Sequence, residues 1–136
     1  MLDHIGLAVT DFERSKSFFV EALAPLDITL LVEVTAEQTG GDAHAGFGVK
    51  ERPHFWIGNG QRPVGGLHVA FTAESRSQVE AFYQAGLSAG GRDNGGPGLR
   101  PHYHPNHYAA FILDPDGNNI EAVCRKSEYT AAERHG

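Results

Sequence analysis

Apolar and polar positions alternate at the start of the chain. In "LDHIGLAV", residues 2–9, Ile5, Leu7 and Val9 face one way and His4, Gly6 and Ala8 the other, which is the period of a β-strand. The period then lengthens. Thr10 or Asp11 offers a helix N-cap, and "FERSKSFFVEAL" sets Phe12, Phe18, Phe19, Ala22 and Leu23 near helical spacing. Pro25 is expected to stop that helix, because proline lacks the N–H a helix interior needs. Three short β-favouring runs follow, "DITLLVEV", "AHAGFGV" and "PHFWIG", separated by Gly, Asp and Pro.

The pattern then repeats. "LHVAFTAESRSQVEAFYQAGL", residues 67–87, alternates Leu67, Val69 and Phe71 against His68 and Ala70, then carries Val79, Phe82, Tyr83 and Leu87 on a helical face. An offset of 64 residues lays His4 on His68, Phe18 on Phe82, Phe19 on Tyr83 and Leu23 on Leu87 without a gap. One constant offset over four positions points to an internal duplication. In the second half "HYAAFIL" and "NIEAVCR" flank "DPDG", where Pro115 suits the second position of a turn and Gly117 permits positive φ. The stretch between, "GGRDNGGPGLRPHYHPN", reads as a loop with at most one irregular strand.

Each half therefore reads as βα followed by about three strands. The expected architecture is α+β: two βαβββ modules, about 1–60 and 66–126, forming a cupped, mostly antiparallel sheet within one domain spanning 1–126. Glycines around 60–66 mark the junction, and 127–136 reads as a tail that either forms a short helix or frays.

Composition narrows the function. At 136 residues the chain is long enough for one self-sufficient core. A net charge of −6, with no run of like charges, argues against a nucleic-acid partner, which would call for a basic patch. No run approaches the ~20 apolar residues of a membrane helix, and the start lacks a signal-peptide pattern, so a soluble, cytoplasmic protein is expected. The single cysteine, Cys124, sits on an apolar strand and reads as a small buried hydrophobe.

Candidate chemistry lies on the strands. His4 and His68 are equivalent positions, each sharing a face with small residues. Glu121 stands in "NIEAV" on the face opposite Ile120 and Ala122. Taken singly, each is most simply a surface polar group. Taken together, two imidazoles and one carboxylate are the set that holds a first-row divalent metal with positions left open for substrate.

"LDHIGLAVTDFERSKSFF", "GGLHVAF" and "FILDPDGNNIEAV" make the chain, from about residue 1 to 126, resemble the vicinal oxygen chelate superfamily. That superfamily is the glyoxalase, extradiol dioxygenase, fosfomycin-resistance and bleomycin-resistance group. The resemblance implies paired βαβββ modules cupped around a divalent ion (Fe, Mn, Ni or Zn), with His4, His68 and Glu121 as its ligands. Glu121 would be ligand first, and catalytic base if its bond to the ion lengthens. The glyoxalase branch has a second glutamate on the last strand of the first module. Here "PHFWIG" offers none: the offset of 64 sends Glu121 to Ile57, beside Trp56. His54 is a weaker candidate for that fourth position.

"RPHYHPNHY" is the other unusual segment. His102 and His104 are expected on one strand face, with His107 after a turn. With Trp56, Arg100, Tyr103 and Tyr108 they are candidates to line a substrate pocket for an anionic or aromatic molecule. The expected function is a small metal-dependent enzyme, a lyase, isomerase or dioxygenase, acting on an α-hydroxycarbonyl, enediol or catechol-like small molecule. The resemblance implies a homodimer. The alternative is a metal-free small-molecule or drug-binding protein whose cleft is lined by Phe47, Phe55 and Trp56.

Overall fold

A computed structural model describes residues 2–62 and 65–127. Of the tail expected at 127–136, only Ser127 falls within them. The first half runs β1 (Ile5–Ala8), α1 (Phe12–Leu23), β2 (Thr29–Val34), a short α2 (Ala36–Thr39), β3 (His44–Val49) and β4 (Arg52–Gly58). The second runs β5 (His68–Thr72), α3 (Arg76–Ser88), β6 (Arg92–Asp93), β7 (Gly98–Leu99), β8 (Tyr108–Leu113) and β9 (Asn119–Cys124).

Helix starts follow their caps. Asp11 accepts from the Arg14 N–H, Ser75 from the Gln78 N–H, and Thr35 forms a capping box with Gln38. Pro25 does not end the chain's helical course abruptly. It sits within a 3-10 turn, Ala24–Leu26, and the reversal comes at Asp27, at φ 62°. The loop expected between α3 and β8 contains two two-residue strands rather than one, and α2 is a turn of helix the periodicity did not announce.

Each half makes its own sheet. The first has the order β1-β4-β3-β2, the second β5-β9-β8-β6 with β7 also on β8. In both, the leading strand pairs parallel with the last and the other neighbours are antiparallel, giving a mixed α+β fold of two mostly antiparallel sheets. One core joins them. Phe18, Phe19 and Leu23 of α1 and Val79 and Phe82 of α3 are fully buried with Phe47, Ile57, Ile112 and Ile120. Burial on that scale stabilises by about 1.5–3 kcal/mol per large side chain. Phe55 meets Phe71 edge to face across the two sheets at 5.2 Å. Phe47 is thus a core residue rather than the cleft lining expected of a metal-free binder, while Phe55, 2 % exposed in the same core, also borders the groove beside His4 and His68.

The registers sharpen the duplication. Gly6 pairs with Trp56, and its counterpart Ala70 pairs with Glu121. The second half is one residue longer between its first and last strands, so the slot equivalent to Glu121 is Trp56, and Ile57 is a core position 1 % exposed. The constant offset of 64 misplaces that one position, since an insertion in the loops shifts the last strand. Trp56 lies over Gly46, where a Cβ would come within 2.9 Å of its ring.

Candidate active site

β9 separates core from site by alternation. Ile120, Ala122 and Cys124 join the core, while Glu121 and Val123 point to the opposite face, with Ala70 of β5 and Phe111 of β8 beside Glu121 in register. That face opens into a cavity of about 500 Å³ lined by His68, Tyr103, His107, Phe111, Glu121 and Arg125, among others. Glu121 is only 4 % exposed. The carboxylate predicted as either surface group or ligand is therefore a buried one, and a buried carboxylate requires partners.

It has two. His68 Nε2 donates to Glu121 Oε1 at 2.7 Å, and His107 Nε2 donates to Oε2 at 3.0 Å. The two imidazoles differ in setting: the His68 side chain is 54 % exposed and that of His107 is 8 % exposed. Glu121 thus has one oxygen toward the open side and one toward the protein.

His4 does not line that cavity. It lines a groove of about 600 Å³ between β1 and β5 together with His54 and His68, but its Nδ1 donates to the Asp3 carboxylate at 2.9 Å. The His4 ring and the Arg52 guanidinium hold the Asp3 carboxyl below its ordinary value. With Nδ1 as donor, Nε2 is the nitrogen left with a lone pair, the tautomer a metal-binding histidine uses. Asp3 was not singled out from the sequence; its only signal is its place next to His4 in "LDHIG". His54 Nδ1 donates to the Asp3 carbonyl at 2.9 Å.

The histidine-rich segment is turn, not strand. His107 alone is delivered inward, while His102 and His104 are exposed and Tyr103 packs between the rings of His102 and His107 at 4.1 and 5.1 Å. Arg100 donates to the Gly98 and Gly96 carbonyls and lies 5.3 Å over the Phe111 ring, so its guanidinium braces the glycine loop. Tyr108 points to the helix side, where its hydroxyl donates to Glu80 at 2.6 Å; burial and that carboxylate push it up to about 12. Trp56 lines a separate cavity of about 250 Å³ with Gly6, Ala8 and His44.

A divalent ion requires several lone-pair donors converging on one point. His68 Nε2 and Glu121 Oε1, hydrogen-bonded at 2.7 Å, converge on one point of the open face, and both are atom types that ligate a divalent ion once the proton between them is released. One imidazole and one carboxylate of the right chemistry therefore lie together on this face. Among the described residues no three His, Cys, Asp or Glu side chains form a ready-made ligand set.

Paired βα-β-β-β halves with an imidazole–carboxylate pair on the open face of the second define the class of small cup-forming α+β proteins. The chain belongs to the Glyoxalase/Bleomycin resistance protein/Dioxygenase superfamily, whose family model matches residues 1–122. Among solved structures, a glyoxalase/bleomycin resistance protein from Albidiferax ferrireducens T118 is 30 % identical, with 90 % of this chain and 97 % of that one covered and a TM-score of 0.68. Glyoxalase I from Zea mays, at 23 % identity and TM-score 0.65, is covered over 45 % of its length by 90 % of this chain. The fosfomycin resistance protein FosX from Listeria monocytogenes, complexed with Mn(II) and sulfate, is 17 % identical, with 100 % and 98 % covered and a TM-score of 0.64. The last two likenesses concern the fold alone. No curated protein sequence matches the chain. No helix among the described residues is long and apolar enough to cross a membrane.

Proposed function

We propose that the chain is a small metal-dependent enzyme acting on a molecule with two adjacent oxygens, an α-hydroxycarbonyl, enediol or catechol, with His4, His68 and Glu121 as ligands of a divalent ion. The observation that carries this is the buried Glu121 carboxylate with His68 Nε2 at 2.7 Å, on a strand face that opens into a cavity. When bound, such an ion supplies Lewis acidity to a substrate oxygen. The chain's own residues do the rest. Glu121 Oε1 is the oxygen on the open side and the candidate base for a substrate proton. Phe111 and Tyr103 provide aromatic surface in the lining, and Arg125 supplies a positive charge there for an anionic group. Asp3 orients His4.

The chain is further proposed to act as a homodimer. β1 and β5 are end strands, and exposed Leu2 and Ile5 line the groove that holds His4 and His68. A metal-free binding protein is the second reading, favoured by Trp56 in place of a second carboxylate beside its own cavity.

Elemental analysis of protein purified without a histidine tag separates the two. The enzyme reading expects close to one equivalent of Fe, Mn, Ni or Zn, recovered on adding the ion, and loss of binding in His4→Ala. Less than about a tenth of an equivalent after reconstitution, against the one-ion stoichiometry of such sites, would sink it.

A further inference from the structure

We propose that His107 is the positioning residue of Glu121: it clamps one carboxylate oxygen from the protein side, so that the other alone is presented to a metal ion. This rests on the functional reading above and extends it to a residue outside the ligand triad.

The geometry separates the two oxygens. Oε1 meets the half-exposed His68, whereas Oε2 meets His107, whose side chain is 8 % exposed. A carboxylate bound at Oε2 by a fixed donor cannot turn about its Cγ–Cδ bond to chelate with both oxygens. Its contribution is then one oxygen in one orientation.

The donor is itself fixed. The His107 N–H donates to the His104 carbonyl at 3.0 Å, and its own carbonyl accepts from the Arg100 N–H at 2.7 Å, closing the loop 100–107 on both sides of the residue. Tyr103 packs against the ring at 5.1 Å. The carboxylate can only accept, so Nε2 carries the proton and Nδ1 the lone pair. Nδ1 is buried without a hydrogen-bond partner among the described residues. The ring therefore spends its one polar contact on Glu121, and an unpartnered buried nitrogen accompanies it. An apolar ring would fill the same space without that cost, so packing alone does not call for histidine here.

Hydrogen-bond partners behind metal ligands typically change affinity 10–100-fold. The full-length chain, stripped of metal, is titrated with Mn(II) and with Zn(II) by equilibrium dialysis. His107→Phe, which keeps the ring volume and lacks the N–H, is expected to weaken binding by about 10–100-fold. His107→Gln, which keeps an N–H donor, is expected to recover most of that loss. A purely structural role predicts the reverse order, with Phe tolerated and Gln penalised. In metal-free wild type, ¹H–¹⁵N correlation of the imidazole is expected to show the proton on Nε2. Wild type that binds while Phe matches it, or Gln that binds no better than Phe, overturns the role of His107 and leaves the metal reading standing. A proton on Nδ1 does the same without any variant. Wild type that takes up neither ion overturns both.

Discussion

Glu121 and Asp114 show how differently two buried carboxylates can be used. Glu121 is held by imidazoles on an open face. Asp114, 1 % exposed, is held inside a turn, where Oδ1 accepts from the N–H groups of Asp116 and Asn118 at 3.0 and 2.8 Å and Oδ2 from the Asn118 amide at 3.1 Å. Asn118 in turn accepts from the Leu67 N–H at 3.1 Å, so the "DPDG" turn latches the start of β5. Burial pushes the Asp114 carboxyl above its ordinary 3.8 despite those donors. A carboxyl raised in the folded state binds protons more readily there than when unfolded. Its contribution to stability is full below the unfolded value and is lost as pH rises through the folded one. Asp114→Asn removes that titration. The stability difference, wild type minus Asp114→Asn, is expected to widen as pH falls from 7 toward 4 in urea melts; a difference that narrows would contradict the assigned direction. Asp93 works in the opposite sense, since the Gly95 N–H and Tyr83 hydroxyl hold its carboxyl low.

At the level of elements, the strands and helices were legible where a period ran long enough. β1, β5 and both long helices follow from alternation, helical spacing and caps. The stretch between α3 and β8 was not legible in detail. Its two-residue strands and its inward His107 are set by closure on β8 and Glu121, and glycine-rich segments carry little side-chain pattern. One glycine there is a packing requirement. A Cβ on Gly91 would lie 2.5 Å from Ile112 Cγ2 and 2.6 Å from a Phe18 ring carbon, where the end of α3 meets β8 and α1. Gly91→Ala is expected to cost about 1–3 kcal/mol in chemical denaturation, with the circular-dichroism spectrum retained. A neutral result would mean that this junction yields more readily than its packing implies.

At the scale of the fold, the two sheets share a core but, among the described residues, no hydrogen-bonded ladder. Thr10 N–H donates to both Asp116 oxygens at 3.3 and 3.2 Å, and Gln78 reaches Asp27 at 3.4 Å, tying the halves at their edges. Among the described residues β1 and β5 keep one unpaired edge each, beside a groove with exposed Leu2 and Ile5. The proposed homodimer follows from that surface. Sedimentation should return twice the 14.7 kDa of one chain, and Ile5→Arg should shift it toward the monomer. A wild-type monomer at micromolar concentration would remove the dimer from the functional picture.

Local chemistry along the chain was enough for the two halves and the strand faces, because strand period and a near-constant offset carry that information. It could not say that the position equivalent to Glu121 is Trp56 rather than Ile57, since one inserted residue flips a strand's faces. Nor could it choose among the histidines. His107 reaches Glu121 while His4 turns to Asp3, because a buried carboxylate takes whichever donors the packed chain brings within reach, regardless of their distance in sequence.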